Sequence, residues 1–125
     1  MKTVVSALAV LFLSTAASLA AEPAKVMDSS AGKIYTDANG MTLYTYDKDS
    51  AGKSACNGDC AKNWPPLMAA DDAKDEGEWT LVTRDDGSKM WAYEGKPLYT
   101  FAQDKKAGDV TGDGKGGVWH VAKAD

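Results

Sequence analysis

The fold of this chain is decided by the segment Gly40–Asp49, which reads GMTLYTYDKD and returns 55 residues later as Gly95–Asp104, GKPLYTFAQD. The same offset carries Trp64 onto Trp119. Self-similarity at a fixed period of this length is typical of a duplicated supersecondary unit. Each copy, of about 50 residues, buries too little surface to be stable alone, so we expect the two copies to pack together around one core.

The first 20 residues are predicted to be a signal peptide. Lys2 precedes the apolar run Val4–Leu13, which is too short to span a bilayer, and Ser18–Ala20 supplies the small residues that signal peptidase reads. We expect cleavage before Ala21 or one residue later, which leaves a mature chain of 105 residues without a transmembrane segment. No cysteine follows the apolar run, so no lipid anchor is expected. The mature chain is therefore expected to be periplasmic or secreted.

The mature chain, residues 21–125, has the length of a single domain. The full sequence carries 14 Lys and Arg against 18 Asp and Glu, a formal net charge of −4 at pH 7, and its lysines are spread among the acidic residues. A chain without a basic stripe is a poor partner for nucleic acid or for an anionic membrane surface. We therefore expect neither as a partner.

Alternating apolar residues between frequent turns predict strands in the second repeat, at about residues 79–122. The predicted strands are Trp79–Thr83, Lys89–Tyr93, Pro97–Phe101 and Val118–Val121. Tight turns are expected at 85–87 and 94–95, and a long polar loop is expected at 103–117.

The first repeat, at about residues 24–68, follows the same plan. Its predicted strands are Lys25–Met27, Lys33–Asp37, Met41–Tyr46 and the proline-containing edge segment Trp64–Leu67. Asn39 and Gly40 predict a type I′ hairpin turn, and residues 69–78 are an acidic connector between the repeats. The predicted fold class is all-β, with two antiparallel four-stranded β-meander repeats sharing one core.

The repeated motif and the two matched tryptophans are the residues on which a functional interpretation depends: Tyr44, Tyr46, Asp49, Trp64, Tyr99, Phe101, Asp104 and Trp119. Residues two apart in a strand share a face, so Tyr44 and Tyr46 point the same way, and we expect the motif rings to fill the core between the halves. The alternative is an exposed aromatic platform for a sugar or a flat apolar ligand. Asp49 and Asp104 follow the strands and are expected to accept backbone N–H bonds that fix the long loops.

The two copies of Tyr-x-[Phe/Trp/Tyr]-x-x-Asp, at 44–49 and 99–104, resemble the duplicated motif of a bacterial secreted-repeat family described as predicted lipoproteins. The resemblance extends through Cys56–Pro66, Thr83–Lys89 and Gly112–Val121 and covers nearly the whole mature chain. It implies an exported protein of unknown molecular function, with a loose family-level link to alkane utilisation. Because this chain lacks the anchoring cysteine, the resemblance implies a free periplasmic or secreted form.

The two cysteines, Cys56 and Cys60, are predicted to form a disulfide because the chain is exported to an oxidising compartment. The enclosed loop is short, so the expected stabilisation is modest, about 2 kcal/mol. The alternative is a thiol-redox protein that uses this pair. Against it, three residues separate the cysteines instead of the two of thioredoxin-like motifs, and no βαβ pattern surrounds them.

The long loops concentrate carboxylates and glycines, which makes calcium the one candidate cofactor. Calcium takes about six to eight oxygen ligands, and the tentative ligands here are Asp104, Asp109 and Asp113. The protein would then be a calcium-stabilised structural module. The EF-hand spacing is absent because no Glu closes the loop, so the competing interpretation is a solvated, turn-rich loop.

The sequence contains no recognisable catalytic constellation. His120 is the only histidine, which is too few for a zinc site of N and S ligands, and the nucleophile-elbow pattern Gly-x-Ser-x-Gly is absent. His120 is therefore expected to be structural. The leading expectation is a non-enzymatic binding or structural module of the cell envelope, whose partner is an unknown small ligand or envelope protein.

Overall fold

The computed structural model describes residues 23–124, and the predicted signal peptide with its cleavage before Ala21 lies outside them. The described chain contains seven strands, one short α-helix and one 3₁₀ turn. The strands are β1 (Lys25–Ser29), β2 (Gly32–Thr36), β3 (Tyr44–Tyr46), β4 (Trp79–Thr83), β5 (Lys89–Tyr93), β6 (Lys96–Pro97) and β7 (Trp119–Val121). The helix α1 spans Asp59–Asn63, and the 3₁₀ turn spans Lys115–Gly117.

All pairings between these strands are antiparallel, which confirms the all-β, two-repeat fold. β1 pairs with β2 in the first repeat, and β4, β5 and β6 form a three-stranded sheet in the second. β4 and β5 coincide with the predicted strands. No helix in residues 23–124 is long and apolar enough to cross a membrane.

The last segment of each repeat pairs with the other repeat. β7, from the end of the second repeat, runs antiparallel to β3 of the first, with Tyr44 opposite Val121. In return, Pro66 at the end of the first repeat bridges to Tyr99, and Met68 bridges to Met90. The last segments are thus exchanged between the two repeats, although only β7 is a continuous strand and the first repeat contributes isolated bridges. Neither repeat is complete without the other.

The centre of the molecule is a pairing between equivalent residues of the two repeats. The Tyr44 N–H donates to the Tyr99 carbonyl at 2.7 Å, and the Tyr99 N–H donates back to the Tyr44 carbonyl at 3.0 Å. Because these residues occupy the same place in each copy, the pair marks a pseudo-twofold axis. The exchanged segments are related by the same axis.

The core lies on both faces of these central segments. Tyr44 and Tyr99 are fully buried on one face, and Leu43 and Leu98 are fully buried on the other. Each of the two apolar clusters draws residues from both repeats, so the core is shared. This is the alternation expected of strand residues, whose successive side chains point to opposite faces.

The hairpin turns of the two repeats differ. Glu94 and Gly95 have φ values of 52° and 82°, which is the conformation of a two-residue type I′ turn. At the other turn, Asn39 has no positive φ, so the predicted type I′ turn at Asn39 and Gly40 is wrong. The Asp37 carboxylate accepts the N–H groups of Asn39 and Met41 at 2.9 and 3.0 Å, and this capping selects a different turn.

Candidate functional site

Four aromatic rings form a continuous stack through the pseudo-twofold axis. The order is Tyr46, Trp119, Trp64 and Phe101, with centroid separations of 4.1, 3.8 and 4.1 Å. Tyr44 meets the Trp64 ring edge-on at 5.3 Å, and Tyr99 meets the Trp119 ring edge-on at 5.2 Å. Trp64 and Trp119 therefore have equivalent surroundings. The motif rings are buried apart from Tyr46, which is half-buried at one end of the stack.

The motif tyrosines and aspartates pair across the two repeats. The Tyr44 hydroxyl donates to Asp104 at 2.7 Å, and the Tyr99 hydroxyl donates to Asp49 at 2.6 Å. The second oxygen of each carboxylate accepts a backbone N–H of its own loop, from Ala55 for Asp49 and from Thr111 for Asp104. The loop contacts were predicted, whereas the crossed Tyr–Asp pairing was not, because the motif spacing does not reveal which copy supplies the partner.

Burial controls the ionisation of these groups. Burial raises the pKa of both Tyr44 and Tyr99 above the usual tyrosine value, and the hydrogen bond to a carboxylate raises it further. Burial also raises the pKa of Asp49, although its hydrogen bonds from Tyr99 and Ala55 act in the opposite direction. The two phenols therefore remain protonated donors at neutral pH.

The predicted calcium ligands do not form a site. Asp109 accepts the N–H groups of Lys105 and Lys106 at 2.9 and 3.0 Å, and these bonds lower its pKa. Asp113 accepts the Val121 N–H at 3.1 Å, and Asp104 is held by Tyr44 and its own loop. Within the described chain, no group of three or more His, Cys, Asp or Glu side chains could hold a metal. Each carboxylate instead satisfies separate backbone amides.

The predicted disulfide between Cys56 and Cys60 is present, with an S–S distance of 2.01 Å. The Arg84 guanidinium holds the adjoining loop, because Nη2 donates to the Cys56 carbonyl at 2.8 Å and Nη1 donates to the Ser54 hydroxyl at 3.1 Å. The Ser54 hydroxyl lies 2.6 Å from that of Tyr99. Sequence reasoning missed Arg84, although it is the only arginine in the chain and arginine suits buried, multiple hydrogen bonding.

A groove lies between the two repeats, beside the Tyr46 end of the stack. It consists of two adjoining cavities of about 320 and 310 Å³, which share Thr45, Asp47, Glu94 and Lys96. The first cavity extends to Tyr46, Ser50 and Ala51, and the second extends to Tyr93, His120 and Lys123. We call these residues the interrepeat groove. One wall is the long loop of the first repeat, and the other is the Glu94–Gly95 turn of the second.

An exposed histidine–aspartate pair lies in the interrepeat groove. The His120 Nε2 and Asp47 Oδ2 atoms are 2.8 Å apart, and the two side chains are 47% and 54% exposed. His120 lies opposite Thr45 in the pairing of β3 with β7. The histidine therefore lies on the groove rather than in the core.

Glu94 has a strained backbone conformation, and its side chain makes no polar contact in the described residues. It is the only non-glycine residue with a positive φ in the described chain, at 52°. A left-handed conformation costs a residue with a side chain about 1–2 kcal/mol. Its carboxylate makes no hydrogen bond or ion pair within residues 23–124, and it lines both cavities. Strained residues of this kind concentrate at binding and active sites.

Together, the fold and the groove define a duplicated all-β protein with exchanged end segments and a cleft between its repeats. A family model described as a secreted repeat of unknown function matches the chain twice, over residues 25–68 and 80–123. The chain belongs to this family, which confirms the resemblance drawn from the motif. The search of curated proteins found no match, and the search of solved structures found none.

Proposed function

We propose that this protein is an exported, non-enzymatic binding module whose ligand occupies the interrepeat groove. The predicted signal peptide and the description of the family as secreted support action in the periplasm or outside the cell. The ligand is a small molecule or a segment of an envelope protein.

The observation that carries this proposal is that the groove interrupts the internal symmetry. At the 55-residue offset, Asp47 corresponds to Ala102, His120 corresponds to Pro65, and Lys96 corresponds to Met41. At these three positions, polar side chains of the concave site thus correspond to apolar side chains in the other copy. A cleft at a junction between structural units, with a few converging polar groups, is the usual form of a ligand site.

The motif residues act as a scaffold in this proposal. Their hydroxyl and carboxylate groups are engaged with one another inside the protein, through the pairs Tyr44–Asp104 and Tyr99–Asp49. The cysteines are joined to each other, and Cys56 is fully buried. A buried sulfur is a poor target for thiol exchange, which favours a structural disulfide over the thiol-redox alternative.

The proposal can be tested by mapping where small molecules bind. Mature, ¹⁵N-labelled protein is titrated with a mixed library of sugars, amines, aromatic acids and dipeptides while the amide resonances are followed. We expect shifts concentrated at Thr45, Lys96 and His120. The matched variants are Lys96→Ala, which should weaken binding, and Met41→Ala at the equivalent position, which should not.

Two results would contradict the proposal. Shifts concentrated around Thr100 and Ala102, or no binding by any class of compound, would remove the groove as the site. Turnover of a library compound that disappears in His120→Ala would show that the groove is catalytic rather than a passive binding site.

A further inference from the structure

We propose that the interrepeat groove binds a neutral oligosaccharide, with Tyr46 and Tyr93 as the ring-stacking platforms at its two ends. This inference rests on the proposed function, and it adds the chemical class of the ligand. It is carried by the ends of the aromatic clusters, by the charge balance between them, and by the shape of the groove.

The two ends of the four-ring stack differ in access. At one end Phe101 is only 4% exposed, Lys115 Nζ lies 5.9 Å from its centroid, and a Cβ on Gly112 would lie 2.9 Å from its ring. At the other end Tyr46 stacks on Trp119 at 4.1 Å and otherwise lines the first cavity. Both repeats contain the motif, so we attribute this difference in access to the loops around the two ends and not to the strands.

The second end of the groove also presents a supported ring. Tyr93 lines the second cavity and is half-buried. The centroid of its ring lies 4.9 Å from that of the Tyr35 ring and 4.7 Å from that of the Trp79 ring. Rings held from behind by other rings lose little conformational freedom when a ligand arrives, which favours weak, face-on contacts with sugar rings.

The groove between the two rings offers both hydrogen-bond donors and acceptors, and its net charge is small. Asp47 and Glu94 accept hydrogen bonds, whereas Lys96 and Lys123 donate them. Sugar hydroxyls do both, so they can use this mixture. Two lysines offset two of the three carboxylates that line the cavities, and the third carboxylate, Asp49, accepts the Tyr99 hydroxyl and the Ala55 N–H. The net charge of the groove is therefore small, so neither an acidic nor a basic ligand gains much from the groove as a whole.

The shape of the groove suits a ligand made of repeated units. The two cavities have similar volumes, about 320 and 310 Å³, and join through shared residues. Each lies near the lower limit of small-molecule sites, so a chain of two or three sugar rings would extend across both. An extended peptide is a poorer fit, because the adjoining strand β6 contains Pro97, which has no N–H for strand addition.

The test uses the mature protein and three neutral trisaccharides: cellotriose, maltotriose and triacetylchitotriose. Amide shifts and calorimetry measure binding, with sorbitol as a polyol lacking a ring and trialanine as a peptide. We expect at least one trisaccharide to shift amides at both ends of the groove and to bind about tenfold more tightly than its monosaccharide, because a second platform is engaged. Sorbitol and trialanine should cause no comparable shifts.

Two variants distinguish the loss of a stacking contact with the sugar from unfolding of the protein. Tyr46→Ala should weaken the trisaccharide about tenfold. Since this change also removes a stacking partner of Trp119, a second variant, Thr45→Trp, fills the groove without removing any ring from the stack. Its matched control is Thr100→Trp at the equivalent position of the other repeat, which should leave binding unchanged.

The outcomes distinguish this inference from the function on which it rests. Trialanine or another library compound that shifts the groove residues while all three sugars fail would overturn the sugar assignment and leave a binding module. Equal loss of sugar binding in Thr45→Trp and Thr100→Trp would place the sugar outside the groove and overturn the inference. A groove that binds no compound at all would remove both proposals.

Discussion

The Tyr99 hydroxyl shows how single polar groups hold this core together. It is buried, donates to Asp49 at 2.6 Å, and lies 2.6 Å from the Ser54 hydroxyl. A buried acceptor that loses its donor bears the full cost of desolvation. The hydroxyl of Tyr46, although part of the same motif, makes no hydrogen bond within residues 23–124.

We predict that Tyr99→Phe lowers the free energy of unfolding by about 1–3 kcal/mol, because it leaves one oxygen of the half-buried Asp49 carboxylate, Oδ2, without the Tyr99 donor. Tyr46→Phe is the matched control and should cost less than about 0.5 kcal/mol. Urea unfolding followed by tryptophan fluorescence measures both. Equal losses in the two variants would show that the crossed Tyr–Asp pairs do not stabilise the fold.

The carboxylates Asp49 and Asp109 should titrate in a fixed order. Burial raises the pKa of Asp49, whereas backbone hydrogen bonds lower the pKa of Asp109. Carboxyl ¹³C shifts of the folded protein should therefore show Asp49 taking up its proton first as the pH falls. The reverse order, or a shared midpoint, would contradict the surroundings described for these residues.

Protonation of Asp49 and protonation of Asp109 change the folding stability in opposite directions. Folding raises the pKa of Asp49. The stabilisation of the folded state by its protonation is therefore fully present below the pKa that Asp49 has in the unfolded chain, and it is lost as pH rises through the pKa that Asp49 has in the folded protein. Folding lowers the pKa of Asp109, so its contribution is present above the unfolded pKa and is lost as pH falls through the folded pKa. Asp109 is only partly buried, so solvent screens its charge and its effect on folding stability should be small.

At the scale of elements, three separate interactions hold the long loop of the first repeat. Asp49 caps the Ala55 N–H, the Cys56–Cys60 bond closes the segment, and Arg84 reaches the Cys56 carbonyl from the β4–β5 hairpin. Arg84 is only 6% exposed, so its hydrogen bonds are formed away from water. Its contacts extend across repeats, whereas the disulfide is local.

We predict that Arg84→Met destabilises the protein more than removal of the disulfide. The arginine variant strips donors from Ser54 and the Cys56 carbonyl, at about 1–3 kcal/mol for each unsatisfied group. The Cys56→Ala, Cys60→Ala double variant opens only a short loop and should cost about 2 kcal/mol. Urea midpoints of the three proteins give the order. A larger loss in the cysteine variant would contradict it.

At the scale of the whole molecule, the exchange of end segments makes the two repeats mutually dependent. β7 completes the first repeat, and Pro66 and Met68 bridge to the second. The tryptophans at the centre of the stack, 3.8 Å apart, come one from each repeat. Folding should therefore be a single cooperative event.

We predict that fragments 21–68 and 69–125 are each unfolded when expressed separately. Each lacks the partner segment and half of the core, and neither can bury enough surface alone. Mixing them should restore the near-ultraviolet circular dichroism of the stacked Trp64 and Trp119. A fragment that folds by itself would show that the exchange is not required for stability.

We also predict that calcium does not contribute to stability. The three tentative calcium ligands, Asp104, Asp109 and Asp113, accept hydrogen bonds from different backbone amides. Thermal unfolding of the mature protein should have the same Tm in excess EDTA and in millimolar calcium. A rise in Tm that saturates with calcium would reveal a site that these hydrogen bonds do not preclude.

The predicted strand Pro97–Phe101 is wrong beyond Pro97, where β6 ends, and the predicted strand Trp64–Leu67 contains only an isolated bridge at Pro66. The repeat, the strands β4 and β5, the alternation of faces and the disulfide, in contrast, could all be predicted from the sequence alone. These features depend on residues close in the chain, such as the side chains of Leu43 and Tyr44 on opposite faces of one strand, or on a spacing that recurs. Strand periodicity is set by the backbone geometry of each residue and its neighbours, so it can be predicted without knowing what lies across the sheet.

The pairing of each end segment with the other repeat could not be predicted from the sequence. The exchange of β7, the crossed Tyr–Asp pairs, the burial of Arg84 and the interrepeat groove all join residues distant in the chain. Two copies with nearly equal motifs offer equivalent partners for each strand, so local pattern cannot choose between them. The choice falls to long-range packing, which in this structure stacks Trp64 on Trp119 at the centre of the shared core.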